Sequence, residues 1–146
     1  MTVPSISSAA ASPPPRVLLC DDHPPMLGLA AAALSGACSI VGTVEDGGQL
    51  LDVAALLRPD VIVLDISMPG INGLEASRKL HDSNLGIKLV FLTVHEDADF
   101  ARAAYATGAL GYVVKSRLAS DLLPAVRAAF LNQRFLSPTV SLDEPA

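Results

Sequence analysis

The sequence predicts an α/β fold: an open, doubly wound, five-stranded parallel sheet with helices on both faces. Three observations predict it. Apolar, β-branched runs alternate with helix-like segments five times along the 146 residues, the pattern of βαβ units. The central run Val61-Ile62-Val63-Leu64 is apolar at both parities, as in a strand buried on both faces. Each buried run also ends on a polar residue, and in such sheets chemistry sits just beyond the carboxyl ends of the strands. The chain is too short for a closed eightfold barrel.

Taken in order, residues 1–15 are rich in Ser, Ala and Pro and read as a disordered leader. Arg16 to Cys20 is a first strand running into Asp21-Asp22-His23-Pro24-Pro25. Pro25 suits the first turn of a helix that reaches Ser35, with Gly36 as its stop. Ser39 to Val44 is a second strand, less apolar and therefore nearer an edge. Asp46-Gly47-Gly48 turns the chain into a helix over 49–57, which the Arg58-Pro59 step ends. Val61 to Leu64 then delivers Asp65, and Met68-Pro69-Gly70 turns away. Asn72, with Glu75 three residues on, caps a helix to Asp82. Ile87 to Leu92 is the fourth strand and delivers Thr93. A small-residue helix over 97–107 stops at Gly108. Ala109 to Val114 is the fifth strand and delivers Lys115. A last helix is expected from Asp121 to Leu131, because Pro124 is tolerated only in a first turn. Residues 133–146 read as a tail, with Ser137-Pro138 opening a linker.

Composition narrows the function. Hydrophobic residues make up 51% and aromatics 4%, with a net charge of −5. The acidity argues against this chain itself gripping a phosphate backbone. Cys20 and Cys38 are no disulfide framework and read as small core residues in a reducing compartment. Neither a membrane-length apolar run nor a signal peptide is evident, so a cytoplasmic location is expected.

The strand exits carry the chemistry. Asp21 and Asp22 leave the first strand, Asp65 the third, Thr93 the fourth and Lys115 the fifth. Parallel strands lie about 4.8 Å apart, so these groups can share a pocket roughly 10 Å across. Three carboxylates at short range need a counter-charge. Their hard oxygens suit Mg²⁺, and no His/Cys cluster favours zinc. With a metal present, Asp65 can act as a nucleophile toward phosphorus. Lys115 would clamp a phosphoryl oxygen and Thr93 would donate a hydrogen bond to another.

These residues resemble a known family, the receiver domains of two-component response regulators. The resemblance covers residues 16–132 and rests on Val-Leu-Leu-Cys-Asp21-Asp22-His-Pro, Val-Leu-Asp65-Ile-Ser-Met-Pro-Gly-Ile-Asn-Gly-Leu-Glu, Leu-Thr93-Val-His and Gly-Tyr112-Val-Val-Lys115-Ser. It implies the flavodoxin-like (CheY-like) strand order 2-1-3-4-5. It further implies that Asp65 is the phosphoacceptor, Asp22 a direct Mg²⁺ ligand, Asp21 its partner through water, and the Ser67 backbone carbonyl a further ligand. Thr93 and Lys115 would bind the phosphoryl group, and Tyr112 would be the switch aromatic that moves inward with Thr93. His95, near the mouth, is expected to modulate water access and dephosphorylation. The opening Asp-Asp-His-Pro and closing Arg-Phe-Leu-Ser-Pro look like the NarL/FixJ group, whose members usually carry a LuxR-type DNA-binding domain. No helix-turn-helix pattern is present in this sequence, so DNA contact is expected only through a separate domain, or the chain acts alone through protein–protein contacts.

The implied function is a transcription-regulating switch phosphorylated by a sensor histidine kinase, with possible pairing of two copies on phosphorylation. It is not expected to be an enzyme beyond its own phosphorylation and dephosphorylation. Two rivals fit less well. A phosphatase of the haloacid dehalogenase type wants a second Asp where Ser67 stands. A flavodoxin-like nucleotide module wants a Gly loop after the first strand, where Asp-Asp-His-Pro-Pro repels phosphate.

Overall fold

Helix N-termini and strand carboxyl ends meet along one edge of this chain, and the computed structural model, which describes residues 13–142, shows how. Strands β1 (Arg16–Cys20), β2 (Ser39–Val44), β3 (Val61–Leu64), β4 (Lys88–Thr93) and β5 (Gly111–Val114) alternate with helices α1 (Pro24–Leu34), α2 (Gly47–Leu57), α3 (Gly73–Asp82), α4 (Ala98–Ala106) and α5 (Leu118–Phe130). A short β6 (Phe135–Leu136) follows. All pairings are parallel, in the order β2-β1-β3-β4-β5-β6. The less apolar β2 is an edge strand, as its composition suggested. Among residues 1–15 of the expected leader, 1–12 lie outside the described residues, as do 143–146 of the tail.

The period-two geometry of the strands divides the core into two layers. Leu18, Ile62, Leu64, Phe91 and Tyr112 point toward α2, α3 and α4, where they meet Leu50, Ala54, Ala76, Leu80 and Ala104. Val17, Leu19, Val61, Val63, Val90, Leu92 and Val113 point the other way, onto α1 and α5. Central strands β1 and β3 are therefore buried on both faces, which is why their sequences do not alternate. Each large aliphatic side chain so buried contributes about 1.5–3 kcal/mol.

Local signals set most boundaries. Asn72 accepts from the Glu75 N–H at 2.9 Å and starts α3. Asp46 accepts from the Gln49 N–H at 2.8 Å, so α2 begins at Gly47, two residues before the expected start. The Asp46 cap makes Gly47-Gly48 the first turn of the helix instead of a loop. At the other end Arg58 takes a left-handed conformation (φ 51°). The Arg16 guanidinium covers the carbonyls left open there, donating to Arg58 O at 2.8 Å and Leu57 O at 3.0 Å.

The five expected strands stand in the expected order and a short sixth extends the sheet, while two other expectations are corrected. After α5 the chain turns at Asn132 (φ 63°) and lays Phe135 and Leu136 beside Gly111 and Tyr112 of β5. Ser137, expected to open a linker, is fully buried. The last helix begins at Leu118 rather than Asp121, after a single 3-10 turn over Lys115–Arg117. Asp121 is not a cap. Its buried carboxylate accepts from Arg117 Nε at 2.8 Å, Ser120 Oγ at 2.9 Å and Ser137 Oγ at 2.8 Å. Burial alone would raise its pKa, but the bonds from Arg117, Ser137 and Ser120 outweigh that and hold it below the usual carboxylate value. Pro124 accordingly sits inside α5 with its ring exposed, and burial of Leu118, Leu122, Ala125, Val126 and Ala129 offsets the missing N–H. Because that ring is exposed, Pro124→Ala is expected to stabilise the chain by about 1–2 kcal/mol. The measurement is a higher urea midpoint with unchanged slope; a lower midpoint would contradict this account of the proline.

Candidate functional site

Parallel pairing brings the predicted exits together. Asp21 follows β1, Asp65 follows β3, Thr93 closes β4 and Lys115 follows β5, all at one edge of the sheet. Asp21, Asp22 and Asp65 each offer a carboxylate oxygen, and these oxygens lie within 4.8 Å of one another. Asp21 and Asp65 are buried and Asp22 is exposed. The Lys115 ammonium reaches between the buried pair, 2.9 Å from Asp21 Oδ2 and 2.9 Å from Asp65 Oδ2.

The backbone fixes the other carboxylate oxygens. Asp21 Oδ1 accepts from the His23 N–H at 2.9 Å, and Asp65 Oδ1 accepts from the Ile66 N–H at 2.7 Å. Both acids are thus oriented by the turn that follows their own strand. Burial by itself would lower the Lys115 pKa, but its hydrogen bonds to Asp21 and Asp65 outweigh that and raise it above the ordinary lysine value. The amine is therefore a fixed positive charge at neutral pH.

The remaining candidates border this cluster. Thr93 is fully buried, and its Oγ1 accepts from the His95 N–H at 3.4 Å. Ser67 is exposed, with Oγ 3.4 Å from His95 Nε2. The His95 ring stacks on Phe100 at 4.1 Å, which holds the imidazole over the β4–α4 loop. Tyr112 is fully buried against Phe91, and its hydroxyl donates to the His95 carbonyl at 2.9 Å. The ring thus occupies an inward position, and burial raises its phenol pKa well above the ordinary value. All eight sequence-predicted residues stand on or beside one strand edge.

Two features escaped the sequence. Lys115, expected to share the pocket with the carboxylates, bridges the two buried ones, Asp21 and Asp65. Cys20 also lies under the site, its Sγ 3.2 Å from Met68 Sδ. Burial, and then Asp21, push its thiol pKa up to about 12, so it stays a neutral packing group. The Met of Met-Pro-Gly was the available signal, but a turn methionine gives no hint of which strand it packs on.

A doubly wound sheet with an Asp-Asp pair, a third Asp and a Lys at its strand exits defines the receiver class. The model of the response regulator receiver domain matches residues 17–127, and the chain belongs to that family. Among curated proteins it is 40% identical over 102 residues to the response regulator GacA of Pseudomonas viridiflava, covering 70% of this chain and 48% of that protein. It is 35% identical over 123 residues to the nitrate/nitrite response regulator NarL of Escherichia coli (strain K12), covering 83% of this chain and 57% of NarL. The chain therefore spans about half the length of the curated relatives it matches. A LuxR-family two-component response regulator from Aurantimonas sp. SI85-9A1 superposes with a TM-score of 0.82 at 29% identity, over 87% of this chain and 92% of that one. Within the family the chain is thus of the NarL/LuxR type, a receiver domain of two-component signalling.

The ion pair makes a pH-dependent contribution with a definite sign. The Lys115 pKa is raised in the folded chain, so its stabilisation is complete below 10.5 and is lost as pH rises through the higher folded value. Urea unfolding of the metal-free chain from neutral to strongly alkaline pH is expected to show a steeper alkaline decline in the parent than in Lys115→Met. The raised tyrosines contribute equally to both chains. Identical declines would remove Lys115 from this balance.

Proposed function

We propose that the chain is a phosphorylation-activated switch in which Asp65 accepts a phosphoryl group from a phosphohistidine of a sensor histidine kinase, or from a small acyl phosphate. The observation that carries this reading is the convergence of Asp65, two further carboxylates and the Lys115 ammonium at one strand edge. A carboxylate oxygen of Asp65 forms the new bond to phosphorus as the P–N bond of the donor breaks. The electron pair leaves on the imidazole nitrogen, which takes a proton. Lys115 then exchanges a carboxylate oxygen for a phosphoryl oxygen, keeping its charge where negative charge accumulates. Thr93, at the end of β4, turns its hydroxyl toward another phosphoryl oxygen.

The donor set fits Mg²⁺. Carboxylate and carbonyl oxygens are its preferred ligands, with water completing an octahedron. Asp22 and Asp65 would hold the ion directly with the Ser67 carbonyl, and Asp21 through water. When bound, the ion neutralises charge on the transferring phosphoryl group and on the clustered acids. His95, stacked on Phe100 beside Ser67, guards the mouth and sets how readily water reaches the acyl phosphate. The chain's chemistry is confined to gaining and losing that one group. In the whole protein the switch would govern a LuxR-type DNA-binding domain and so transcription, in the cytoplasm. Among the described residues no helix is long and apolar enough to cross a membrane. A second copy could pair with the phosphorylated form.

Incubation with Mg²⁺ and acetyl phosphate is expected to add one phosphoryl group per chain, read as an 80 Da mass increase from one HPO₃, about the addition seen at any singly phosphorylated side chain. Asp65→Asn is expected to abolish it. Phosphate retained by that variant would overturn the assignment, and turnover of phosphomonoesters would favour the phosphatase instead. Removing Mg²⁺ with a chelator is expected to lower the melting temperature of the parent but not of Asp22→Asn, by mass action at the acidic cluster.

A further inference from the structure

The segment after α5 does more than end the fold. Ser137 is fully buried and binds three ways: its N–H donates to Tyr112 O at 2.9 Å, its Oγ accepts from the Val114 N–H at 3.1 Å, and its hydroxyl donates to Asp121 Oδ2 at 2.8 Å. Val114 immediately precedes Lys115. On either side of Ser137 the segment is tied to α4. Tyr105 donates its hydroxyl to Phe135 O at 2.7 Å, and the Arg134 guanidinium lies 4.4 Å over the Tyr105 ring. Arg102 donates to Leu142 O at 3.0 Å. Val140 is buried, and its N–H closes a turn onto Ser137 O at 3.0 Å.

The two attachments differ in firmness. Ser137 is anchored on β5 and α5, and α5 buries Leu118, Asp121, Leu122, Ala125, Val126 and Ala129. Helix α4 fully buries only the small Ala101 and Ala104, with Phe100 and Tyr105 half-buried against the core, so less apolar surface fixes it to the sheet than fixes α5. The N-terminus of α4 follows directly from the loop in which His95 contacts both Thr93 and Tyr112. A shift at Thr93 therefore reaches the lightly held helix first. Helix α4 cannot move against β5 without straining or breaking the bonds from Arg102 and Tyr105 to the segment.

We propose that residues 134–142 are an intramolecular clasp: anchored by Ser137 to β5 and α5, it restrains α4 in the observed position, and loading of the acidic site loosens its outer half. The inference rests on the reading of Asp65 as phosphoacceptor. Because coupling between two sites is reciprocal, weakening the clasp must strengthen binding at the acidic site by the factor with which binding loosens the clasp. Two hydrogen bonds of ordinary strength set that factor at about tenfold.

Amide exchange by NMR, with and without Mg²⁺ and beryllofluoride, tests this in the parent, in Arg102→Ala and in Ser137→Ala. Loading is expected to speed exchange at Val140 about tenfold in the parent. Arg102→Ala, a surface change that leaves the core intact, removes one of the two bonds and is expected to speed it before loading and to tighten beryllofluoride binding, each by about threefold. Ser137→Ala should do the same if it folds. Shifts at Asp65, Thr93 and Lys115 on loading, with Val140 exchange and the Arg102→Ala affinity both unchanged, would overturn the clasp and leave the phosphoacceptor reading standing. No response at Asp65, Thr93 and Lys115 would remove that reading and the clasp with it.

Discussion

One ammonium between two buried carboxylates governs the design of this chain. Asp21 and Asp65 are 4% and 6% exposed and face the same point. Two like charges so close together repel and need a counter-charge. Lys115, at 2.9 Å from each, supplies the counter-charge without a third partner. Two features of the fold assist it. Each acid is also held by an N–H of the turn behind it. The helices that follow β1, β3 and β4 begin at this edge, so their positive N-terminal dipoles point toward the acids. The site is thus charge-rich yet internally compensated.

Close backbone approach holds the site in place. A Cβ on Gly73 would lie 1.9 Å from the Asp65 carbonyl oxygen, so only glycine lets α3 start against the residue it positions. Gly47 does the same from α2, where a Cβ would meet the Ile71 carbonyl at 2.1 Å. The loop carrying Ser67 and Met68 is therefore gripped from two helices. The sequence placed Gly47 in a turn and Gly73 at a helix start, while their function as contact surfaces depends on elements distant along the chain.

The strand edge was legible because a parallel sheet converts sequence order into spatial order. Every buried run ended on its polar residue, and all exits of a parallel sheet lie on one side. Asp21, Asp22, Asp65, Thr93 and Lys115 could therefore be collected without coordinates. Less legible was anything held by a single polar contact at long range. Pro124 argued for a late start to α5, since local propensity cannot register the packing that overrides it. Ser137-Pro138 looked like a linker because a serine shows no sign of burial until Asp121, sixteen residues earlier, is placed beside it.

The sequence by itself determined the layers, the parallel direction of the strands and the edge at which charge gathers. Those follow from apolar periodicity and from the handedness of βαβ crossovers, which act on neighbouring segments. Only the tertiary structure decided that Lys115 spans both acids, that Tyr112 lies inward under the His95 carbonyl, and that a sixth strand fastens α4 to the sheet. Each of these depends on side chains meeting across the fold, where distance and burial, not residue type, select the partner.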